Sequence, residues 1–174
     1  MTQPTLADRH APAHARTAFA PSLELAALAE ALGVTNTRVL AELHAQGLRA
    51  HTAIVVEWVP AVDVCWLDGA DAGERNALRV QLAADDCATV EGLALLDAWL
   101  SKRPAPEFFE AGRQAIRLRL RGLDDQAREA TLDRIVAICE AAGRAGGGQF
   151  GVSPLSTKER RHIGRIRQDL AQSD

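Results

Sequence analysis

The chain has 174 residues, 47% of them hydrophobic, with four Phe, three Trp, no Tyr and a formal net charge of −3. That length buries one sizeable core and is short for two independent domains. The apolar residues are mostly Ala and Leu, not the β-branched and aromatic types that strands favour, which argues for an all-α fold and against a β-rich one.

Residues 1–21 carry Pro, His, Arg and Ala without the apolar run of a signal peptide, and are expected to form a disordered tail. No later stretch has the length and apolarity of a membrane span. The three cysteines, Cys65, Cys87 and Cys139, are far apart and show no CxxC spacing. Together these features predict a cytoplasmic protein with reduced, buried thiols.

Residues 22–172 are expected to form a single helical bundle, with 22–50 as an N-terminal hairpin and 51–172 as its body. The hairpin consists of a helix over 22–31 closed by Gly33 and another over 35–46 closed by Gly47. In the next segment, 52–67, Val55, Trp58, Val59, Val62, Cys65 and Trp66 follow helical spacing, the stripe of a core-facing helix. A strand made from its valines does not fit that period, and Pro60 in the middle predicts a kink. Helices over 71–83, 89–101, 107–120 and 124–142 follow. A glycine-rich connector, 143–154, then leads to a last helix over 156–172. About eight helices with short connections make the pattern of a bundle. If the stripes are right, Trp58, Trp66 and Trp99 are largely buried.

Two stretches resemble each other. Val62-Asp63-Val64-Cys65-Trp66-Leu67-Asp68-Gly69 aligns with Val136-Ala137-Ile138-Cys139-Glu140-Ala141-Ala142-Gly143, and Asp71-Ala72-Gly73-Glu74-Arg75 aligns with Ser156-Thr157-Lys158-Glu159-Arg160. A helix, a glycine stop, a capping box and a second helix thus occur twice, the second time with eleven extra residues in the turn, which predicts a pseudo-symmetric pair of helical hairpins. Charge is uneven along the chain. Residues 51–111 hold eleven acids against four bases, a balance of −7, and residues 112–174 hold eight against twelve, a balance of +4. This asymmetry fits either steering of partners or two complementary halves packed together.

The densest polar motif is the turn Asp68-Gly69-Ala70-Asp71-Ala72-Gly73-Glu74, with Asp63 five positions earlier. Carboxylates gathered this closely are what Ca²⁺ or Mg²⁺ requires, but the turn is not an EF-hand: counted from Asp68, positions three, five and twelve are Ala70, Ala72 and Arg79. Asp71-x-x-Glu74 is also a capping box, which explains two of the acids and leaves Asp68 unexplained. The 22–49 hairpin has the outline of a helix-turn-helix. It offers only Asn36, Arg38 and Gln46 for base contacts, and the first fifty residues have no net positive charge for phosphates, so nucleic acid is disfavoured as a partner.

Arg113, Arg117 and Arg121 form a stripe at i, i+4 and i+8, and the last helix is basic, with Arg161 and Arg165 among its arginines. These are either solvated faces or contacts for an acidic protein or for phosphates. His10 and His14 lie in the tail, and His44, His51 and His162 have no Cys or His at ligand spacing, so no zinc site is expected. There is no G-x-S-x-G, no phosphate-cradling glycine loop and no H-E-x-x-H, so catalysis is not expected.

The run Val59-Pro60-Ala61-Val62-Asp63-Val64-Cys65-Trp66-Leu67-Asp68-Gly69, with Glu74-Arg75 opening the next helix, resembles the TerB-like family of helical domains named for tellurite resistance. Leu100-Ser101-Lys102-Arg103-Pro104-Ala105-Pro106, Ala141-Ala142-Gly143 and Ser156-Thr157-Lys158-Glu159-Arg160 are similar to later landmarks of that family, so the resemblance covers about 51–172. It implies an all-helical fold with a pseudo-repeat, found in proteins linked to stress responses and membrane-associated complexes. It also implies a divalent-cation site at Asp63, Asp68, Asp71 and Glu74. The second copy has Ala142 and Ser156 where the first has Asp68 and Asp71, so one site only is implied. The resulting expectation is a non-enzymatic module that binds Ca²⁺ or Mg²⁺ weakly, a partner protein, or both, with a nucleic-acid-binding regulator using 22–49 as the alternative.

Overall fold

The computed structural model describes residues 20–85, 88–146 and 155–172. Among these residues it is all-helical. The α-helices are α1 (Ala20–Leu32), α2 (Thr37–Ala45), α3 (Val59–Cys65), α4 (Ala72–Ala83), α5 (Val90–Ser101), α6 (Pro106–Leu120), α7 (Asp125–Ala145) and α8 (Thr157–Ala171), and a 3₁₀ segment, Ala50–Trp58, runs directly into α3. Residues 1–19 of the expected tail, with His10 and His14, lie outside the described residues, as do Cys87 and residues 147–154 of the expected connector.

The helix ends follow the local chemistry. Asn36, Asp71, Thr89, Asp124 and Ser156 each sit at an N-cap in extended backbone, and each side chain accepts hydrogen bonds from the first-turn N–H groups that lack helical partners. The expected start of α2 at Thr35 is corrected by two residues, because Asn36 makes the cap: its side-chain oxygen accepts from Arg38 N at 3.1 Å and Val39 N at 3.2 Å. Three helix ends share one closure. Gly33, Gly47 and Gly69 have φ of 65°, 92° and 115°, and the residue after each donates its N–H five positions back, Val34 to Ala29, Leu48 to Leu43 and Ala70 to Cys65. Val34, Leu48 and Ala70 are all buried, so each left-handed turn returns an apolar side chain to the core.

The expected single helix over 52–67 is instead two elements, and Pro60 gives the reason. In an α-helix Pro60 could not donate to Val56, and its ring would strike that carbonyl. The chain winds as 3₁₀ up to Trp58 and starts α3 at Val59, which puts Pro60 in the first turn, where no N–H is needed. This segment is the axis of the molecule: Val55, Val56, Trp58, Val59, Ala61, Val62, Val64 and Cys65 are all buried. Around it, α1 packs on the 3₁₀ segment, α6 and α7 on α3, α4 between α5 and α7, and α8 against α6 and α7. Trp58 and Trp99 are buried and Trp66 is half-buried. Trp66 Nε1 donates to Trp99 O and Trp99 Nε1 to Gln46 O, each at 2.9 Å, tying α3 to α5 and α5 to the end of α2.

The two similar stretches become two hairpins, α3–α4 and α7–α8, and each second helix opens with a capping box, Asp71/Glu74 and Ser156/Glu159. They interlock reciprocally. Lys158 at the start of α8 donates to Leu67 O at the end of α3 (2.7 Å), and Gly73 at the start of α4 lies so close to Ala145 O at the end of α7 that a Cβ would not fit. The helix over 124–142 extends three residues further, to Ala145. Gly143 is therefore helical; a side chain there would collide with Leu155 and Glu159.

Candidate functional site

The four carboxylates at the α3–α4 turn each meet a partner within the chain. Asp63, on α3, accepts from Arg113 Nη1 of α6 at 3.1 Å and lies 3.0 Å from His162 Nε2 of α8. Asp68 pairs with Lys158 of α8. Asp71 Oδ1 accepts from Glu74 N at 2.9 Å, and Glu74 Oε2 accepts from Asp71 N at 2.8 Å. Among the described residues no group of three or more His, Cys, Asp or Glu is placed to hold a metal ion. Asp63 and Asp68 face different basic residues, and Asp71 and Glu74 are turned onto backbone N–H groups.

Glu74 is 6% exposed. Burial, opposed by the Asp71 N–H bond and reinforced by the charges of Asp71, Glu159 and Asp68, raises its pKa to about 7. Burial also pushes the Cys65 and Cys139 thiols far up, so both are inert free cysteines.

The arginine stripe of α6 divides. Arg113 and Arg117, with side chains 19% and 17% exposed, face inward. Arg113 also meets Glu110 Oε2 at 2.9 Å and Asp169 Oδ2 at 3.3 Å, and Arg117 pairs with Asp169. This is an ionic seam joining α3, α6 and α8, in which both arginines already have acidic partners. Arg121, at the C-cap of α6, is exposed and has no ion-pair partner among the described residues. A second seam was not signalled by any local motif. Glu57, in the middle of the apolar axis, is buried against Arg119 Nη1 of α6 (3.1 Å) and against Arg134 of α7, which also reaches Asp85 at 3.1 Å. An acid inside a run of valines was its only trace in the sequence.

On α8, Lys158 and Arg167 are consumed within the fold, Arg167 by Glu129 and Asp133 of α7. Arg160, Arg161 and Arg165 are exposed on the outer side, and among the described residues none has an acidic partner. A groove of about 330 Å³ runs beside them at the α6–α8 seam, lined by Asp63, Arg113, His162, Arg165 and Asp169 among others. It places a carboxylate–imidazole pair next to a free guanidinium, but no Ser, Thr, Cys or Lys lines it to act as a nucleophile. In the 22–49 hairpin, the Asn36 side chain is occupied by capping, and Val39, Leu40 and Leu43 of α2 are buried.

Among the described residues, fold and site together define an all-α bundle with two interlocked hairpins and a basic outer face of α8 that lacks acidic partners. No protein-family model matches the chain, and neither does any curated protein or solved structure. No helix among the described residues is long and apolar enough to cross a membrane.

Proposed function

We propose that the chain is a non-enzymatic helical module of the TerB-like kind that docks an acidic segment of a partner protein on the outer face of α8. The observation that carries this reading is the contrast within one helix: Lys158 and Arg167 are neutralised by the fold, whereas Arg160, Arg161 and Arg165 stand together in solvent without a counter-charge among the described residues. Three like charges within six residues repel one another, and an acidic partner relieves that repulsion while gaining paired guanidinium contacts. The two capped hairpins support the TerB-like part of the reading. A resident Ca²⁺ or Mg²⁺ has the charge density of the turn in its favour, but it would have to displace Lys158 from Asp68.

Fluorescence anisotropy with a labelled oligoglutamate peptide tests the docking face. The full chain is expected to bind it in a salt-sensitive manner. Changing Arg160, Arg161 and Arg165 together to Gln should abolish binding, while Arg144→Gln, at an arginine already paired with Glu140, should not. Tighter binding of duplex DNA, lost on Arg38→Ala, would instead establish the 22–49 hairpin as the functional element.

A further inference from the structure

The outer face of α8 carries a second feature, independent of its charge. Of the ten glycines among the described residues, eight have a reason in the fold. Gly33, Gly47 and Gly69 have left-handed backbone, and a Cβ at Gly73, Gly92, Gly112, Gly143 or Gly146 would press on a neighbour, whereas a Cβ at Gly122, in the turn after α6, would make only ordinary contact with Arg119 O at 3.4 Å. Gly164 is the other of the remaining two, and the one inside a helix. It lies in the interior of α8 without the positive φ that favours glycine, it is exposed, and among the described residues a Cβ there would meet nothing within 4 Å. A helix interior is where glycine is least favourable after proline, because its backbone loses the most freedom. Nothing among the described residues requires a glycine at this position.

Its surroundings show what does. Arg160 and Arg161, at i−4 and i−3, are next to Gly164 on one face of the helix, and Arg165, at i+1, is about 100° further round its exposed side. Gly164 also forms part of the rim of a groove of about 300 Å³ between α7 and α8, whose apolar lining is Val136, Leu155 and Ile163. We infer that Gly164 is the crossing point at which α8 receives an acidic amphipathic helix of the partner, an inference that rests on the docking face proposed above. Without a side chain at the crossing, the two backbones approach closely, and small residues serve this purpose wherever helices cross at short range. The acidic residues of the incoming helix meet the three arginines, and one of its apolar side chains enters the groove over Val136, Leu155 and Ile163.

The basic strip is only one helix face wide. Glu140 of α7 flanks it on one side, and Asp169 and Glu110 flank it on the other. A helix with a single acidic stripe fits between these acids, whereas a nucleic-acid duplex or an anionic membrane would press its charges onto them.

The test uses the full chain and a labelled, Glu-striped Ala/Leu peptide of about 18 residues, long enough to hold helix. Gly164→Ala is expected to raise the thermal midpoint of the free chain by helix propensity, and to weaken peptide binding by roughly tenfold, the effect of forcing a methyl group into a close contact. Gly164→Leu should remove binding with an unchanged circular dichroism spectrum. If Gly164→Ala raises the midpoint and leaves the affinity unchanged, the close crossing is overturned while the arginine face stands. If the wild-type chain fails to bind the peptide, or binding survives replacement of the three arginines by Gln, both readings fall. Tighter binding to duplex DNA or to phosphatidylglycerol vesicles than to the peptide overturns the choice of partner.

Discussion

Glu74 shows a capping residue carrying a cost. Its carboxylate accepts the Asp71 N–H, yet it is buried near Asp71, Glu159 and Asp68, and its pKa rises from 4.5 to about 7. The folded state therefore holds this proton more tightly than the unfolded state does. The contribution to stability is fully present below pH 4.5 and is lost as pH rises towards 7. Glu74→Gln keeps the cap acceptor and removes the charge. Urea denaturation at pH 8 is expected to show the variant more stable by about 1–3 kcal/mol, with the gain vanishing near pH 4.5. Capping by Asp71 and Glu74 was legible from their spacing of three, because a cap is a local interaction. The partners of Asp63 and Asp68 were not, since Arg113 and Lys158 lie 50 and 90 positions further along the chain.

At the scale of elements, helix ends were readable where glycine or a capping side chain decides them, and the interior of 52–67 was misread where Pro60 changed the winding. Helical periodicity counts apolar positions, and a 3₁₀ turn leading into an α-helix buries nearly the same positions. The way the hairpins interlock appears only in three dimensions. Gly73, read as one letter of a capping box, is where α4 meets the end of α7. Gly73→Ala should gain helix propensity and still destabilise the protein by about 1–3 kcal/mol, because the rigid carbonyl of Ala145 cannot yield. Thermal unfolding of this variant beside Gly164→Ala should show shifts of opposite sign, and shifts of the same sign would refute this account of the interlock.

At the scale of the whole molecule, the uneven charge along the sequence is partly neutralised by folding. Acids of the −7 middle region, Glu57, Asp63, Asp68 and Glu110, pair with bases of the +4 C-terminal region, Arg119, Arg134, Arg113 and Lys158. Of the two meanings open to that asymmetry, complementary halves packed together accounts for these pairs, and the outer face of α8 is left over. Salt separates the two sets of charges. Going from about 0.1 M to about 1 M NaCl should change the urea midpoint little, because the buried Glu57 and Asp63 pairs are weakly screened and the exposed Asp68–Lys158 pair contributes little at any salt, while abolishing peptide binding to exposed arginines. A large fall in stability would place the pairs at the surface. The sequence alone determined the all-α class, the succession of helices and their caps, and the paired hairpins, because propensity, periodicity and capping act within a few residues of one another. Tertiary structure alone decided which charges neutralise each other and which face stays open, because ion pairs between distant segments depend on how the helices pack, and no local pattern encodes that arrangement.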